Sequence, residues 1–214
     1  MSLTVAASLW STPKDRLDSE ARRLAAGGLR RWHWDVSDGV LAAPGGFDVG
    51  TVERLTRLTG LPGEAHLMVT DPLLQVDAWA PSCDRIIVHV EATGWAESVD
   101  RIRSLGRQPG VAISPGTPLG ALTGVPSDVA ILVMSIVPGH AGSTFIPTTL
   151  ERLRALADGR DLGVDGGVTL DHARACASNG ATWVVSGSAL CSCAEPSAWL
   201  AAASGTAQTS PGAG

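Results

Sequence analysis

Eight repeats of a strand pattern followed by a helical pattern constrain the fold of this chain more than any other feature. The strand patterns are short apolar runs bounded by turn residues, at 3–8, 32–36, 64–68, 85–90, 111–114, 129–135, 162–165 and 183–186. Stretches with helical spacing, such as 16–26, 49–58 and 170–178, lie between them. Strands that alternate with helices favour a parallel sheet, and eight such units predict a closed (β/α)8 barrel. The alternative is an open doubly wound sheet, but no GxGxxG motif follows the first strand pattern.

The composition is that of a soluble globular protein. Of the 214 residues, 44% are hydrophobic and 17% are charged, which is ordinary for a folded domain. We expect one domain over residues 1–203. The tail at 204–214 is rich in Gly, Ser, Thr, Ala and Pro, and this composition predicts disorder.

Charge and cysteine content limit the possible partners. A net charge of -5 provides no basic patch for nucleic acid, and no apolar run approaches the length of a membrane span. The N-terminus lacks the basic start and the apolar segment of a signal peptide, so we expect a cytoplasmic protein. We expect its partner to be a small molecule, and a homo-oligomer is compatible with the sequence. The four cysteines form no CxxC pair and are interpreted as reduced thiols: Cys83, Cys176, Cys191 and Cys193.

Two ionisable residues in the second strand pattern are predicted to face the barrel interior. Side chains two apart on a strand share a face, so His33 and Asp35 point the same way. Trp32 and Trp34 then point outward, into the helix layer. An ionisable pair inside a barrel is costly unless it is paired or binds a metal.

Three further polar residues lie at the ends of other strand patterns. Ser8 closes the first, His66 lies near the end of the third, and Asp165 ends the seventh. Strand ends meet on the active-site side of a barrel, so we expect these residues to lie near His33 and Asp35. Two imidazoles and two carboxylates predict a site for one divalent metal ion, with Zn, Fe, Mn or Co as candidates.

Glycine-rich segments follow the sixth, seventh and eighth strand patterns. Loops after the last two strands of such barrels often bind phosphate, and glycines let backbone N–H groups approach the anion. Tight turns also favour glycine, but three such segments in neighbouring loops favour phosphate. The candidate residues are Gly139, His140, Ala141, Gly142, Gly166, Gly167, Gly187 and Ser188.

Two other histidines are interpreted as structural. His89 and Glu91 lie at the end of the fourth strand pattern, where a catalytic role is possible but a hydrogen-bonding role is favoured. His172 begins a helical pattern, and we expect it to be exposed.

Taken in order, these segments resemble the ribulose-phosphate 3-epimerase family from residue 3 to about residue 200. Positions 33–39 match the family's His-x-Asp-x-Met-Asp-Gly motif, and 66–68 match its His-Leu-Met motif. Positions 89–92 match His-x-Glu-Ala, and 164–168 match Val-Asp-Gly-Gly-Val. The Val-Met-x-x-x-Pro-Gly, Phe-Ile-Pro and Gly-Ser-Ala motifs correspond to 133–139, 145–147 and 187–189.

The resemblance implies a (β/α)8 barrel enzyme that epimerises C3 of a ketose phosphate, such as D-ribulose 5-phosphate to D-xylulose 5-phosphate. It implies that His33, Asp35, His66 and Asp165 hold the metal. Asp35 and Asp165 would also be the acid/base pair, which removes a proton from one face and returns one to the other through an enediolate. Ser8 and His66 would contact the sugar, and the glycine-rich segments with Ser188 would hold the phosphate.

The walls of the predicted pocket depart from the family pattern, whereas the metal and acid/base set does not. Ser37 replaces Met, and Val137 and Ser143 replace polar residues. His140-Ala141 replaces Phe-Gly. These changes put the exact substrate in question rather than the reaction.

Two function classes compete with an epimerase. One is another phosphate-binding barrel enzyme, a decarboxylase or synthase, which would not require the two imidazoles and two carboxylates together. The other is a non-catalytic barrel that acts as a binding protein, which loss of one acid/base Asp would have favoured. Neither Asp is lost.

Overall fold

The structure is a computed structural model that describes residues 2–136 and 144–205. Most of the predicted tail and the predicted sixth-loop residues lie outside the described residues. Those loop residues are Val137, Gly139, His140, Ala141, Gly142 and Ser143.

Eight parallel strands close into a barrel, which confirms the predicted (β/α)8 fold. The strands are β1 Thr4–Ser8, β2 Arg31–Ser37, β3 Gly45–Gly46, β4 Gly63–Met68, β5 Arg85–His89, β6 Gln108–Ile113, β7 Ala130–Met134, β8 Leu162–Asp165 and β9 Trp183–Ser186. In sheet order the barrel strands run β1-β9-β8-β7-β6-β5-β4-β2, and pairing of β1 with β2 closes the ring. The two-residue strand β3 adds to β2 in the antiparallel sense.

Helices surround the barrel, and two of those described begin at a side-chain cap. The Asp48 side chain accepts a hydrogen bond at the start of the helix Val49–Thr59, and Thr169 caps the helix Leu170–Ser178. Between β6 and β7 there is only a single 3-10 turn, Leu119–Leu122. The helices are α1 Leu17–Ala26, α2 Val49–Thr59, α3 Val76–Trp79, α4 Trp95–Ser104, α5 Thr149–Leu156, α6 Leu170–Ser178, α7 Ser188–Cys191 and α8 Pro196–Ala203.

The core has two apolar layers, one outside and one inside the barrel. Trp32 and Trp34 are fully buried in the outer layer, as predicted, and the Trp32 indole N–H donates to Thr59 at the end of α2. The inner layer includes Trp183, and Gly163 makes room for its ring, because a Cβ at 163 would lie 2.2 Å from it. This packed interior leaves only the strand ends open for a site.

Candidate active site

Two imidazoles and two carboxylates converge at the C-terminal end of the barrel, as predicted from the strand ends. One possible ligand atom from each of His33, Asp35, His66 and Asp165 lies within 4.8 Å of the other three. Strand register produces the convergence, because Asp35 of β2 lies beside His66 of β4. These four residues could hold a metal ion.

The nitrogen and oxygen atoms at the centre of this cluster are close together. His33 Nε2 lies 3.1 Å from Asp35 Oδ1 and 3.3 Å from His66 Nδ1. His66 Nδ1 is 3.1 Å from the same Asp35 oxygen. Asp165 Oδ2 lies farther off, 3.8 Å from His33 Nε2 and 3.7 Å from His66 Nδ1. This donor set of imidazole nitrogen and carboxylate oxygen suits a divalent transition metal.

The outward-facing nitrogen of each imidazole has a partner of its own. His33 Nδ1 lies 2.7 Å from Glu64 Oε1, a carboxylate that is fully buried inside the barrel. His66 Nε2 lies 2.9 Å from Nε2 of His89, whose Nδ1 is 3.1 Å from Glu91 Oε2. The predicted hydrogen-bonding role of His89 and Glu91 is confirmed. Glu64 was not singled out from the sequence, although it shares the inward face of β4 with His66.

The two carboxylates occupy different electrostatic surroundings. Burial by itself would raise the pKa of Asp35, but its contacts with His33 and His66 hold that pKa well below the usual range. Burial and the charge of Asp35 together raise the pKa of Asp165 to about 7. Burial also lowers the pKa of His66, whereas the nearby carboxylates overcome burial and place the pKa of His33 well above its usual range. Two carboxyl groups whose pKa values are driven apart can act as an acid and a base.

A pocket that opens to solvent lies above the cluster. Asp35 and Asp165 reach it, whereas both imidazoles are fully buried below. Ser8 lines the pocket and donates a hydrogen bond of 2.6 Å to Asp35 Oδ2. The sequence interpretation gave no role to several apolar lining residues, although all except Trp10 lie within its motifs: Trp10, Met68, Met134, Ile136 and Val168.

The loops after β8 and β9 form one side of this pocket. Gly166, Gly167, Gly187 and Ser188 all line it. Gly166 has φ +116, and a Cβ there would lie 2.4 Å from Ile136, so the close approach requires glycine. These are the predicted phosphate residues of the seventh and eighth loops.

One sequence expectation about a neighbouring residue is wrong. His172 was expected to be exposed, but it is half-buried and stacks on Phe145 with ring centroids 4.2 Å apart. The error arises from a loop contact that a helix pattern does not encode. The hydroxyl of Ser37, the residue that replaces the family's Met, donates to the backbone oxygen of Ala42, 2.9 Å away.

The fold and the site together define an enzyme of the (β/α)8 class, with paired carboxylates at the strand ends where such barrels carry their chemistry. Comparison of the sequence with known families identifies its family. The family model described as the ribulose-phosphate 3 epimerase family matches residues 4–191, and the chain therefore belongs to this family.

Curated relatives agree with the family match. The chain is 33% identical over 197 residues to ribulose-phosphate 3-epimerase of Methanocaldococcus jannaschii, covering 88% of this chain and 84% of the relative. It is 34% identical over 212 residues to the Mycobacterium tuberculosis enzyme of the same name, covering 92% and 90%. The protein is accordingly a ribulose-phosphate 3-epimerase-like isomerase acting on carbohydrates.

Solved structures add support for the fold alone. The 3-keto-L-gulonate-6-phosphate decarboxylase of Vibrio cholerae superposes with a TM-score of 0.73 at 15% identity, covering 96% of this chain and 97% of that one. None of the helices in the described ranges is long and apolar enough to cross a membrane.

Proposed function

We propose that the protein is a metal-dependent 3-epimerase that interconverts D-ribulose 5-phosphate and D-xylulose 5-phosphate, or a close relative of this pair. The observation that carries the proposal is that Asp35 and Asp165 both line one pocket and both belong to a cluster with His33 and His66. Epimerisation at C3 needs two proton carriers at one carbon, and this pocket offers two carboxylates.

The residues of the cluster fit one divalent metal ion, such as Zn, Fe, Mn or Co. Each imidazole has its outer nitrogen occupied by a neighbour, and the inner nitrogens face each other and Asp35. A cation at their centre would bind both nitrogens and both carboxylates. It would also offset the repulsion between the two carboxylates. When bound, it would act as a Lewis acid that favours negative charge on the substrate oxygens.

Asp35 and Asp165 are proposed to move the protons. They belong to β2 and β8, which are separated in the barrel by β1 and β9, so they reach the pocket from different directions. One carboxylate takes the C3 proton, and the electron pair of the C–H bond moves into the enediolate. The other, as a carboxylic acid, returns a proton to the opposite face of C3 and so inverts that centre. Each turnover leaves the pair with exchanged protonation states.

Phosphate binding is proposed for the loops after β8 and β9. Gly166, Gly167, Gly187 and Ser188 line the pocket on the same side, where barrels of this class often bind phosphate. Backbone N–H groups would be the donors, because the described lining contains no Lys or Arg. From the sequence, Gly139, His140, Ala141 and Gly142 are proposed to contribute from the sixth loop.

Sugar recognition is proposed for Ser8 and His66. Ser8 lies at the pocket surface and already bonds to Asp35, so its hydroxyl can share a proton network with a sugar oxygen. His66 lies fully buried below the pocket.

Proton exchange tests the proposal most directly. The purified protein, loaded with each candidate metal in turn, is incubated with ketose phosphates in heavy water, and deuterium at C3 is measured by NMR. We expect deuterium incorporation with D-ribulose 5-phosphate, and its loss after chelation. If no ketose phosphate exchanges its C3 proton with any loaded form, the proposed function is wrong.

A further inference from the structure

A chain of hydrogen bonds leads from the metal cluster to the rim of the barrel. It runs from His66 Nε2 to His89 Nε2 over 2.9 Å, and from His89 Nδ1 to Glu91 Oε2 over 3.1 Å. His66 and His89 are almost fully buried, and their rings are stacked with centroids 5.1 Å apart. Neither His89 nor Glu91 belongs to the four-residue cluster.

Glu91 is held in place from its other side. Its Oε1 atom accepts hydrogen bonds from the backbone N–H of Ser114 at 2.9 Å and from the Thr117 hydroxyl at 2.5 Å. Arg152 of α5 in turn donates to the backbone oxygens of this loop, including that of Thr117 at 2.9 Å. These two donors, together with the contact to His89, lower the pKa of the Glu91 carboxyl to about 2 against the effect of burial.

An ionised Glu91 fixes the direction of every proton in the chain. A carboxylate only accepts, so His89 Nδ1 must carry a proton and donate it. In a neutral His89 ring, Nε2 is then an acceptor, and His66 Nε2 must be the donor. The proton of His66 is thereby fixed on Nε2, and the lone pair of its Nδ1 faces the cluster. The opposite arrangement would need a cationic His89, which its burial and the adjacent imidazole oppose.

We propose that His89 and Glu91 are positioning residues that fix the tautomer of His66 so that Nδ1 can bind the metal. The inference rests on the proposed metal site. The tautomer of His33 is fixed by a single hydrogen bond, because Glu64 accepts directly from its Nδ1 and leaves Nε2 facing the cluster. Outer partners of this kind set the orientation and basicity of metal-binding histidines. The relay through His89 places the controlling carboxylate at the rim instead of under the metal.

The direction of hydrogen-bond donation along this chain can be reversed by one substitution that hardly alters the size of the side chain. In Glu91→Gln, the one oxygen of the amide is needed by the Ser114 and Thr117 donors. The amide NH₂ then faces His89 Nδ1 and donates to it. His89 would donate in turn to His66 Nε2, and the proton of His66 would move to Nδ1, where it blocks metal binding.

Three other variants complete the test. His89→Leu removes the acceptor for His66. His89→Gln keeps the direction, because its carbonyl oxygen can accept from His66 while its NH₂ donates to Glu91. Thr117→Val is the matched control, since it removes a bond to Glu91 but leaves the relay intact.

The measurement is the dissociation constant for Co²⁺ added to metal-free protein, followed by the visible absorption of the bound ion. We expect Glu91→Gln and His89→Leu to bind Co²⁺ about 10- to 100-fold more weakly than the unchanged protein. Thr117→Val should bind as the unchanged protein does, and His89→Gln should bind more tightly than His89→Leu. Circular dichroism checks that each variant is folded. If His89→Leu does not fold, the Co²⁺ affinity of Glu91→Gln alone tests the inference.

Two results overturn the inference. A folded Glu91→Gln protein that binds Co²⁺ with unchanged affinity and absorption shows that the relay does not control His66. An equal loss in Thr117→Val and Glu91→Gln shows that only the loop anchor matters. If the unchanged protein binds no Co²⁺ at all, the proposed metal site fails first, and that outcome is separate from the other two.

Discussion

The two ends of the barrel both carry charged groups, but they arrange them in opposite ways. At the N-terminal end, carboxylates meet arginines: Arg31 forms two hydrogen bonds with Asp84, at 2.6 and 2.8 Å, and Arg85 pairs with Asp161. At the C-terminal end, the described pocket lining contains two aspartates and no Lys or Arg. Paired charges stabilise a fold, whereas carboxylates without a Lys or Arg partner remain available for proton transfer and metal binding.

Glu64 connects the two ends. One of its oxygens lies 2.7 Å from His33 Nδ1, and the other lies 3.5 Å from Arg85. Trp183 packs beside this contact, with the Arg85 guanidinium 5.2 Å from its ring centroid. The negative charge of Glu64 is therefore balanced by Arg85 on the side away from the metal cluster, which allows this fully buried carboxylate to stay inside the barrel.

The largest expected effect comes from comparing aspartate-to-asparagine changes at the two ends of the barrel. Asp165→Asn should lower kcat by at least about 100-fold, because an amide cannot carry the proton for its face of the substrate. Asp35→Asn should do the same. Asp161→Asn, at the N-terminal end, should leave kcat nearly unchanged. Epimerase assays check this, with bound metal measured alongside, and near-normal turnover in either active-site variant would contradict the acid/base assignment.

Metal removal should affect the C-terminal end only, with a smaller but measurable effect on stability. Chelation should abolish activity, and a divalent transition metal should restore it. An ion that binds only the folded state at 100 times its dissociation constant stabilises it by about 2.7 kcal/mol. Thermal unfolding of the protein with and without chelator measures this. The proposal does not survive a metal-free preparation that is fully active.

The N-terminal end should respond to mutation by losing stability rather than activity. Arg85→Met removes a cation beside the buried Glu64 and should cost about 3 kcal/mol of the free energy of unfolding. Arg103→Met is the matched control, because Arg103 pairs with the exposed Asp128 and should cost less than about 1 kcal/mol. Denaturant unfolding compares the two variants. Equal losses would mean that burial of Glu64 does not depend on Arg85.

The smallest effect is expected for the pocket walls. Restoring the family residues with His140→Phe and Ala141→Gly should change the preference among ketose phosphates by less than about tenfold, since wall contacts discriminate weakly. We expect D-ribulose 5-phosphate to keep the highest kcat/KM against hexulose and tetrulose phosphates. Steady-state kinetics of both proteins on all three substrates checks this. A switch of the preferred substrate would show that the sixth loop has been reshaped for another sugar.

The fold and the identity of the cluster were predictable from the sequence alone. Eight strand and helix patterns imply eight parallel strands, and their ends must meet on one side of a closed barrel. The two-residue period of a strand then turns His33 and Asp35 inward together. The ends of the third and seventh strand patterns added His66 and Asp165, and the structure places one possible ligand atom of each of the four within 4.8 Å of the others.

The roles of Glu64, His89 and Glu91 could be decided only by the tertiary structure. Each depends on the register between neighbouring parallel strands, which sets Glu64 beside His33 and brings His89 against His66. No pattern within one strand fixes that register. The direction of the Ser37 hydroxyl was set in the same way, by a loop whose path the strand pattern does not contain. The sequence by itself determined which residues reach the site, and the packing of strand on strand decided which of their atoms face one another.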